Sequence, residues 1–329
     1  MYKKFLSAAL ALLLALGLAG CASQSAATAT PSASAPASAQ AEQSAPAQAA
    51  KPDKDREGNP ITLPEQVNTI VSMAPATTQV LCDLGLADKI VAVDTQSPLY
   101  ATGLKEGIPT FDMMAPDAEA IAALKPDLVF TSGLSAVGGD DPFAASKKLG
   151  VCVANIPSSD SIQGVQADVQ FIADCVGKSQ EGKALVDEMQ RKIDQIAAIG
   201  QTIDQPAGVL FEIAAAPQIY SFGSGVFLDE MITLIGAKNV LAGQTSWVSV
   251  SEEDAVAANP DVILTNVNYL DDAVAEIKAR PGWENVAAVK DGRVFYIDNG
   301  ASSLPNHHIV DALAQMAKAV YPEAYKEIA

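Results

Sequence analysis

From residue 67 onward, short apolar runs alternate with Ala-rich stretches whose apolar positions recur at helical spacing. Residues 67–72 (VNTIVS) and 89–93 (KIVAV) predict strands, with a helix over about 77–84 between them, stopped by Gly85. Residues 128–130 and 151–156 predict two further strands, separated by a short helix over 143–149. This βα alternation predicts a mostly parallel sheet. Residues 161–200 form the longest helical tract. In its later part Leu185, Met189, Ile193 and Ile196 share one face, while Glu181, Lys183, Asp187, Glu188, Arg191, Lys192 and Asp194 supply a polar one. Twenty such residues span about 30 Å, which suits a strut between two lobes. Periodicity alone equally allows a helix packed on one lobe. A second series follows, with strands at 208–213, 219–222, 247–250, 262–264 and 294–297. Helices are expected over 227–235, near 271–279 and over 309–320.

One phrase occurs twice. EAIAALKPDLVFTS at 119–132 returns as EDAVAANPDVILTN at 253–266, with a constant offset of 134 residues. Each copy is a helix-favouring run stopped by proline, then an apolar run ending in small polar residues. One copy in each half of the chain predicts two similar α/β lobes, unless a common αβ connection has arisen twice by chance. Open α/β sheets bind ligands beyond the carboxyl ends of their strands. Both polar loops are therefore expected at a cleft.

The first twenty residues are set apart from this pattern. Lys3 and Lys4 precede a Leu/Ala run too short to span a bilayer comfortably, and it ends in Leu-Ala-Gly-Cys at 18–21. This resembles a bacterial lipobox, which implies cleavage before Cys21 and lipidation of its sulfur. An ordinary secretory leader is the alternative. Residues 22–58 are rich in Ala, Ser, Pro and Gln without an apolar period and predict a disordered tether reaching roughly 30–35 Å.

The 329 residues give room for about two domains. A formal charge of −18 argues against nucleic acid as a partner. Only four arginines are present: Arg56 in the tether, Arg191 on the long helix, and Arg280 and Arg293 in surface-like contexts. Cys82 falls in an apolar helical stretch and is expected to be a buried small residue. Whether Cys152 and Cys175 pair is left open by the sequence. No GxSxG, HExxH, P-loop or GxGxxG stands at a strand–helix junction, so an enzyme is not expected.

Together, IVSMAPATTQVLCDLGLADKIVAV, EAIAALKPDLVF, YSFGSGVFLDEMITLIGAKNV, NPDVILTN and PGWENVAAVKDGRVFYID resemble the periplasmic-binding-protein superfamily. The resemblance is to the cluster that captures iron–siderophores, haem and cobalamin for ABC importers, and it covers about residues 65–325. It implies an α/β fold of two Rossmann-like lobes joined by a single long α-helix, with the ligand cleft between them and little hinge motion. The expected organisation is a leader at 1–20, a lipidated cysteine and linker at 21–58, an N-terminal lobe at 59–176, a connecting helix at 177–204 and a C-terminal lobe at 205–329. The implied function is a membrane-anchored, monomeric binder of a ferric siderophore that hands its cargo to an ABC importer permease. Cobalamin, haem, or a sensor head coupled to a membrane receptor are the alternatives.

Loop residues at strand C-termini are the candidate ligand contacts: Ser72, Met73, Ala74, Pro75, Thr95, Thr131 and Ser132 from the first half. Tyr220, Phe222, Trp247, Asn266, Tyr269 and His307 come from the second half. Aromatic side chains with polar tips suit large flat chelates. Glu212 also ends a strand and joins the candidates. Trp283 is assigned to packing. His307 and His308 are the only histidines, and adjacent residues are expected to point differently. Direct binding of a free metal is therefore not expected, and no cofactor is assigned. The scarcity of arginine at strand ends favours a neutral hydroxamate chelate or a corrinoid over an anionic catecholate. Relatives dock on their permease through one acid per lobe, which the resemblance places at Glu119 and Glu230.

Overall fold

The computed structural model describes residues 51–136 and 141–328. The leader, Cys21 and the tether up to residue 50 lie outside the described residues.

Five strands, β1 (Ile70–Ser72), β2 (Ile90–Asp94), β3 (Thr110–Phe111), β4 (Leu128–Ser132) and β5 (Cys152–Ile156), form a parallel sheet in the order β3-β2-β1-β4-β5. Its helices are α1 (Pro75–Asp83), α2 (Ser97–Tyr100), α3 (Ala118–Ala123), α4 (Ala144–Lys148) and α5 (Ile162–Cys175). After α6 (Ser179–Gly200) the second lobe carries β6 (Gly208–Glu212), β7 (Ile219–Phe222), β8 (Lys238–Asn239), β9 (Trp247–Val250), β10 (Val262–Thr265) and β11 (Val294–Tyr296). A parallel sheet runs β11-β10-β6-β8, and β7 pairs with β9 antiparallel. Its helices are α7 (Phe227–Leu234), α8 (Glu252–Ala258), α9 (Ala273–Lys278), α10 (Ala287–Lys290), α11 (Asn299–Ser303) and α12 (Ile309–Val320). All of β1, all of β10 and the first four residues of β4 are buried, as unbroken apolar runs covered on both faces require.

The long helical tract is two helices. Gly177 takes φ +74° between α5 and α6, a conformation glycine adopts freely. Helix α6 packs on α5 of the first lobe and on α7 and α12 of the second, which is the strut arrangement. Two glycines permit these contacts. A Cβ on Gly182 would lie 2.2 Å from the Ala173 Cβ, and one on Gly200 would lie 2.1 Å from the Leu234 carbonyl oxygen. One apolar core runs continuously from Phe130 through Val169 and Ile193 to Phe211 and Leu313. Smaller clusters sit around Val71 and Ile121 in the first lobe and around Trp283 in the second, where packing was expected.

Four expectations are corrected here. The disordered tether stops short of residue 58: Asp55 is buried and accepts from the Asn155 backbone N–H, and Arg56 pairs with Asp168. Its polar composition reads as loop because its partners lie 100 or more residues away in sequence. Arg280 is not a surface residue. Its guanidinium donates to both oxygens of buried Glu212 at 2.7 Å and also bonds Glu276, so Glu212 is part of the interior rather than the cleft. Burial pushes the Glu212 carboxyl up while Arg280 opposes that shift. Cys152 and Cys175 are buried free thiols, whereas Cys82 is only half-buried.

Candidate ligand-binding cleft

The carboxyl ends of β1, β4 and β5 open onto a cavity of about 410 Å³ between the lobes. One wall is the start of α1, from Ala74 to Thr77. No side chain caps this helix and Pro75 occupies its first turn, so backbone N–H groups remain available to a ligand. Ser132 closes β4, and its buried hydroxyl has no partner among the described residues. Ile156 ends β5, residues 157–160 follow it, and α5 adds Asp168, Val169 and Ile172. Gln96, Tyr100 and Met113 form the side toward α2, and the second lobe contributes Phe227, Trp247 and residues 303–305.

Trp247 is 42% exposed at the start of β9 and packs edge-on against Phe222, with ring centroids 5.9 Å apart. Phe222 is wholly buried and stacks in turn on Phe211. The core thus holds the indole at the cavity rim. The buried Asp168 carboxylate accepts from Ser159 and Arg56; burial pushes its pKa up, against those bonds. Among the described residues, no basic side chain lies in the wall. Residues 137–140, which follow this wall in sequence, are Val-Gly-Gly-Asp and add none.

Of the residues expected at the cleft, Ala74, Pro75, Ser132 and Trp247 line the cavity. Ser72 is buried beneath it, accepting from the Thr78 hydroxyl at 2.8 Å. Met73 is fully buried in the apolar cluster of the first lobe. Thr95 is exposed outside the wall, while its neighbour Gln96 is in it. Thr131 is turned inward to Asn155, 3.0 Å away. Phe222 is core, as stated, and Tyr220 is exposed outside the wall. Asn266 is buried and donates to Ser302 and Ser303, supporting the 303–305 loop from behind. Tyr269 is exposed and its hydroxyl accepts from the Ala215 N–H. Sequence reasoning missed Tyr100, Met113 and the 157–160 loop. The one available signal was that residues 157–160 follow a strand and are short and polar.

His307 also lies outside the wall, and the two histidines do not diverge. Nε2 of His307 and Nε2 of His308 lie 3.0 and 2.9 Å from the same Oδ2 of Asp83. They sit in the turn entering α12, whose backbone brings the rings to 4.2 Å between centroids. Contacts with Asp311 and then Asp83 raise His308 to about 9, and the histidines hold Asp83 well below the usual carboxylate range.

Of the two expected docking acids, Glu119 is exposed in the first turn of α3. Glu230 on α7 is half-buried, and its Oε2 accepts from the backbone N–H of Ile162 at 2.8 Å. It therefore caps α5 across the lobe boundary.

Two α/β lobes on a helical strut, with a cavity between them at the strand ends of the first, have the architecture of a solute-binding protein. The chain belongs to the periplasmic binding protein family, whose model matches residues 70–301. It is similar to the ABC transporter substrate-binding lipoprotein YvrC of Bacillus subtilis, at 30% identity covering 83% of this chain and 86% of that one. A cobalamin-binding protein of Halobacterium salinarum is 26% identical over 82% of this chain and 73% of its own. A solved structure described as a possible iron-binding periplasmic solute-binding protein of Staphylococcus epidermidis superposes with a TM-score of 0.68. It is 27% identical over 78% of this chain and all of that one. The chain is thus the substrate-binding component of an ABC importer and not an enzyme.

Proposed function

We propose that the cavity takes a metal chelate without net negative charge, a corrinoid first and a ferric hydroxamate siderophore second. The observation that carries this is the wall itself: among the described residues its acids are Asp160 and Asp168, and none of its lining residues is Lys, Arg or His. Carboxylate-rich chelates, haem propionates and oxyanions need cationic clamps to repay their desolvation. An amide-rimmed or hydroxamate chelate needs hydroxyls and N–H donors around an apolar surface. Ser132, Thr77 and the start of α1 supply these, with Trp247 as the flat apolar contact. The cobalamin-binding relative, alike over most of this chain, supports ranking the corrinoid first.

Titration of the soluble chain from residue 22 with cobalamin, a ferric hydroxamate, haem and ferric citrate, read by tryptophan fluorescence, tests this. Saturable quenching is expected with one of the first two, and Trp247→Ala, titrated by calorimetry because the cleft indole is gone, should weaken that ligand by about tenfold, or about 1.4 kcal/mol. Tight binding of haem or citrate with no response to the neutral chelates rejects the reading.

We further propose that Cys21 carries the lipid that holds the head at the extracytoplasmic face of the cell membrane. The lipoprotein relative supports this. Glu119 is proposed to face the permease. Cys21→Ser should release the protein from the membrane fraction, and Glu119→Lys should abolish uptake with ligand affinity unchanged. Lost ligand binding in Glu119→Lys counts against a docking role.

A further inference from the structure

Asp83 closes α1 in the first lobe, and His307 and His308 precede α12 in the second. Ligand-type atoms of the three side chains all lie within 4.8 Å of one another. Behind them, Nδ1 of His308 lies 3.3 Å from Oδ2 of Asp311, whose Oδ1 is 3.2 Å from Nζ of Lys192.

A neutral imidazole has one N–H and one lone pair. Both ring nitrogens of His308 face a carboxylate oxygen. One can donate, and the other then turns its lone pair toward negative charge. That contact is repulsive unless a positive charge stands between them, either a second proton or a metal ion. Asp311 engages the outer nitrogen in the way a carboxylate orients a metal-bound histidine. The inner nitrogen shares one space with Nε2 of His307 and Oδ2 of Asp83, at separations of 2.9 to 3.0 Å from that oxygen. Bonds of about 2.0–2.1 Å to a tetrahedral zinc ion set ligand atoms about 3.3 Å apart, so small side-chain rotations seat an ion. The side chains of Asp83 and His308 are 37% and 36% exposed, which leaves solvent access for a water in the fourth position.

We propose that Asp83, His307 and His308 form a three-ligand site for an imidazole-preferring divalent cation, zinc-like in chemistry, that clasps the two lobes beside the cleft. Imidazole donors favour Zn²⁺, Ni²⁺ or Cu²⁺ over Mg²⁺ and Ca²⁺. The ion is separate from the transported ligand. It ties together both cavity walls: Asp83 ends the helix whose first residues line the cavity, and His307 lies just beyond Pro305, which also lines it.

The test uses the untagged chain, titrated with Zn²⁺ against a chromophoric chelator and with Co²⁺ followed by visible absorption. One Zn²⁺ per chain, a raised Tm and a four- or five-coordinate Co²⁺ spectrum are expected. Asp83→Asn and His308→Gln, which keep a polar side chain of similar size, should each weaken Zn²⁺ at least about tenfold and abolish the Tm rise. Asp311→Asn should weaken it by about 10–100-fold through loss of the outer contact. Circular dichroism without metal checks that each variant folds. Absence of stoichiometric binding, a six-coordinate aqua-like Co²⁺ spectrum in the wild type, or binding that survives in the Asp83→Asn/His308→Gln double variant overturns the proposal and leaves a proton-bridged contact.

Discussion

The twice-used phrase has a residue-level cause. Asp117 and Ser251, 134 residues apart, cap α3 and α8 by accepting from Ala120 and Asp254 backbone N–H groups. Lys125 and Asn259, again 134 apart, take φ +50° and +41° to stop the chain after each helix. The aspartate after each proline then fastens the start of the neighbouring parallel strand. Asp127 accepts from the N–H groups of Asn68 and Thr69 ahead of β1, and Asp261 accepts from Gly208 at the start of β6. These backbone bonds, that of Asn68 first, hold the Asp127 carboxyl below its usual range. Its folded pKa is lower than its unfolded one, so its contribution is present above about pH 4 and lost as pH falls through the folded value. Asp127→Ala should therefore cost about 0.5–1.5 kcal/mol at pH 7, a modest figure because solvent screens the carboxylate, with the gap to wild type narrowing below pH 4. Urea denaturation at pH 7 and pH 3 measures both, and an equal gap at the two values contradicts the assignment. This much was legible because caps, proline and the strand-start acid are local signals. Arg280 with Glu212, and Asp83 with the two histidines, were not legible. Each joins residues far apart in the chain, and a buried arginine has the same sequence neighbourhood as an exposed one.

At the scale of elements, nearly every predicted strand and helix is present, and the amphipathic face of the 180–199 stretch is what α6 buries. The cleft was harder to read for a physical reason. Strands of a parallel sheet are covered on both faces, so no alternation marks which residue at a strand end turns toward the ligand. Adjacent positions then part ways: Ser132 lines the cavity while Thr131 bonds Asn155, and Gln96 lines it while Thr95 does not. The strut has a legible weak point once the structure is known. Gly200 lets the end of α6 lie against the end of α7, where Gly236 takes φ +78°. Gly200→Ala puts a methyl group into the Leu234 carbonyl and should destabilise the protein by about 1–3 kcal/mol despite alanine's better helix propensity. A thermal midpoint at or above that of the wild type shows that the α6–α7 contact can relax.

Across the whole molecule, the lobes are joined by more than a helix. The main core is continuous from one sheet to the other. Polar contacts border the boundary at several points. Tyr100 donates to Asn299 at 2.9 Å, Asn306 donates to Gln79 at 2.6 Å, and Glu230 caps α5. The Tyr325 hydroxyl lies between the Ile196 and Ile235 carbonyls, tying α6 to the end of α7. Wide closure needs these contacts broken together, because close-packed interiors do not deform gradually. Ligand capture should therefore occur with the lobes nearly fixed. Spin labels at Met114→Cys and Asn268→Cys, exposed sites following β3 and β10, report on this directly. The three described native thiols do not compete. Burial pushes Cys82 to about 11 and raises Cys152 and Cys175 as well, which leaves them poor nucleophiles at neutral pH. The label-to-label distance should shift by less than about 2 Å on saturation with ligand, the scale of preorganised binding sites. Two resolved distance populations that exchange with ligand would instead place a hinge at the ends of α6. The continuous core would then have to divide along the α5–α6 contact, and Gly182 would be the position to substitute next.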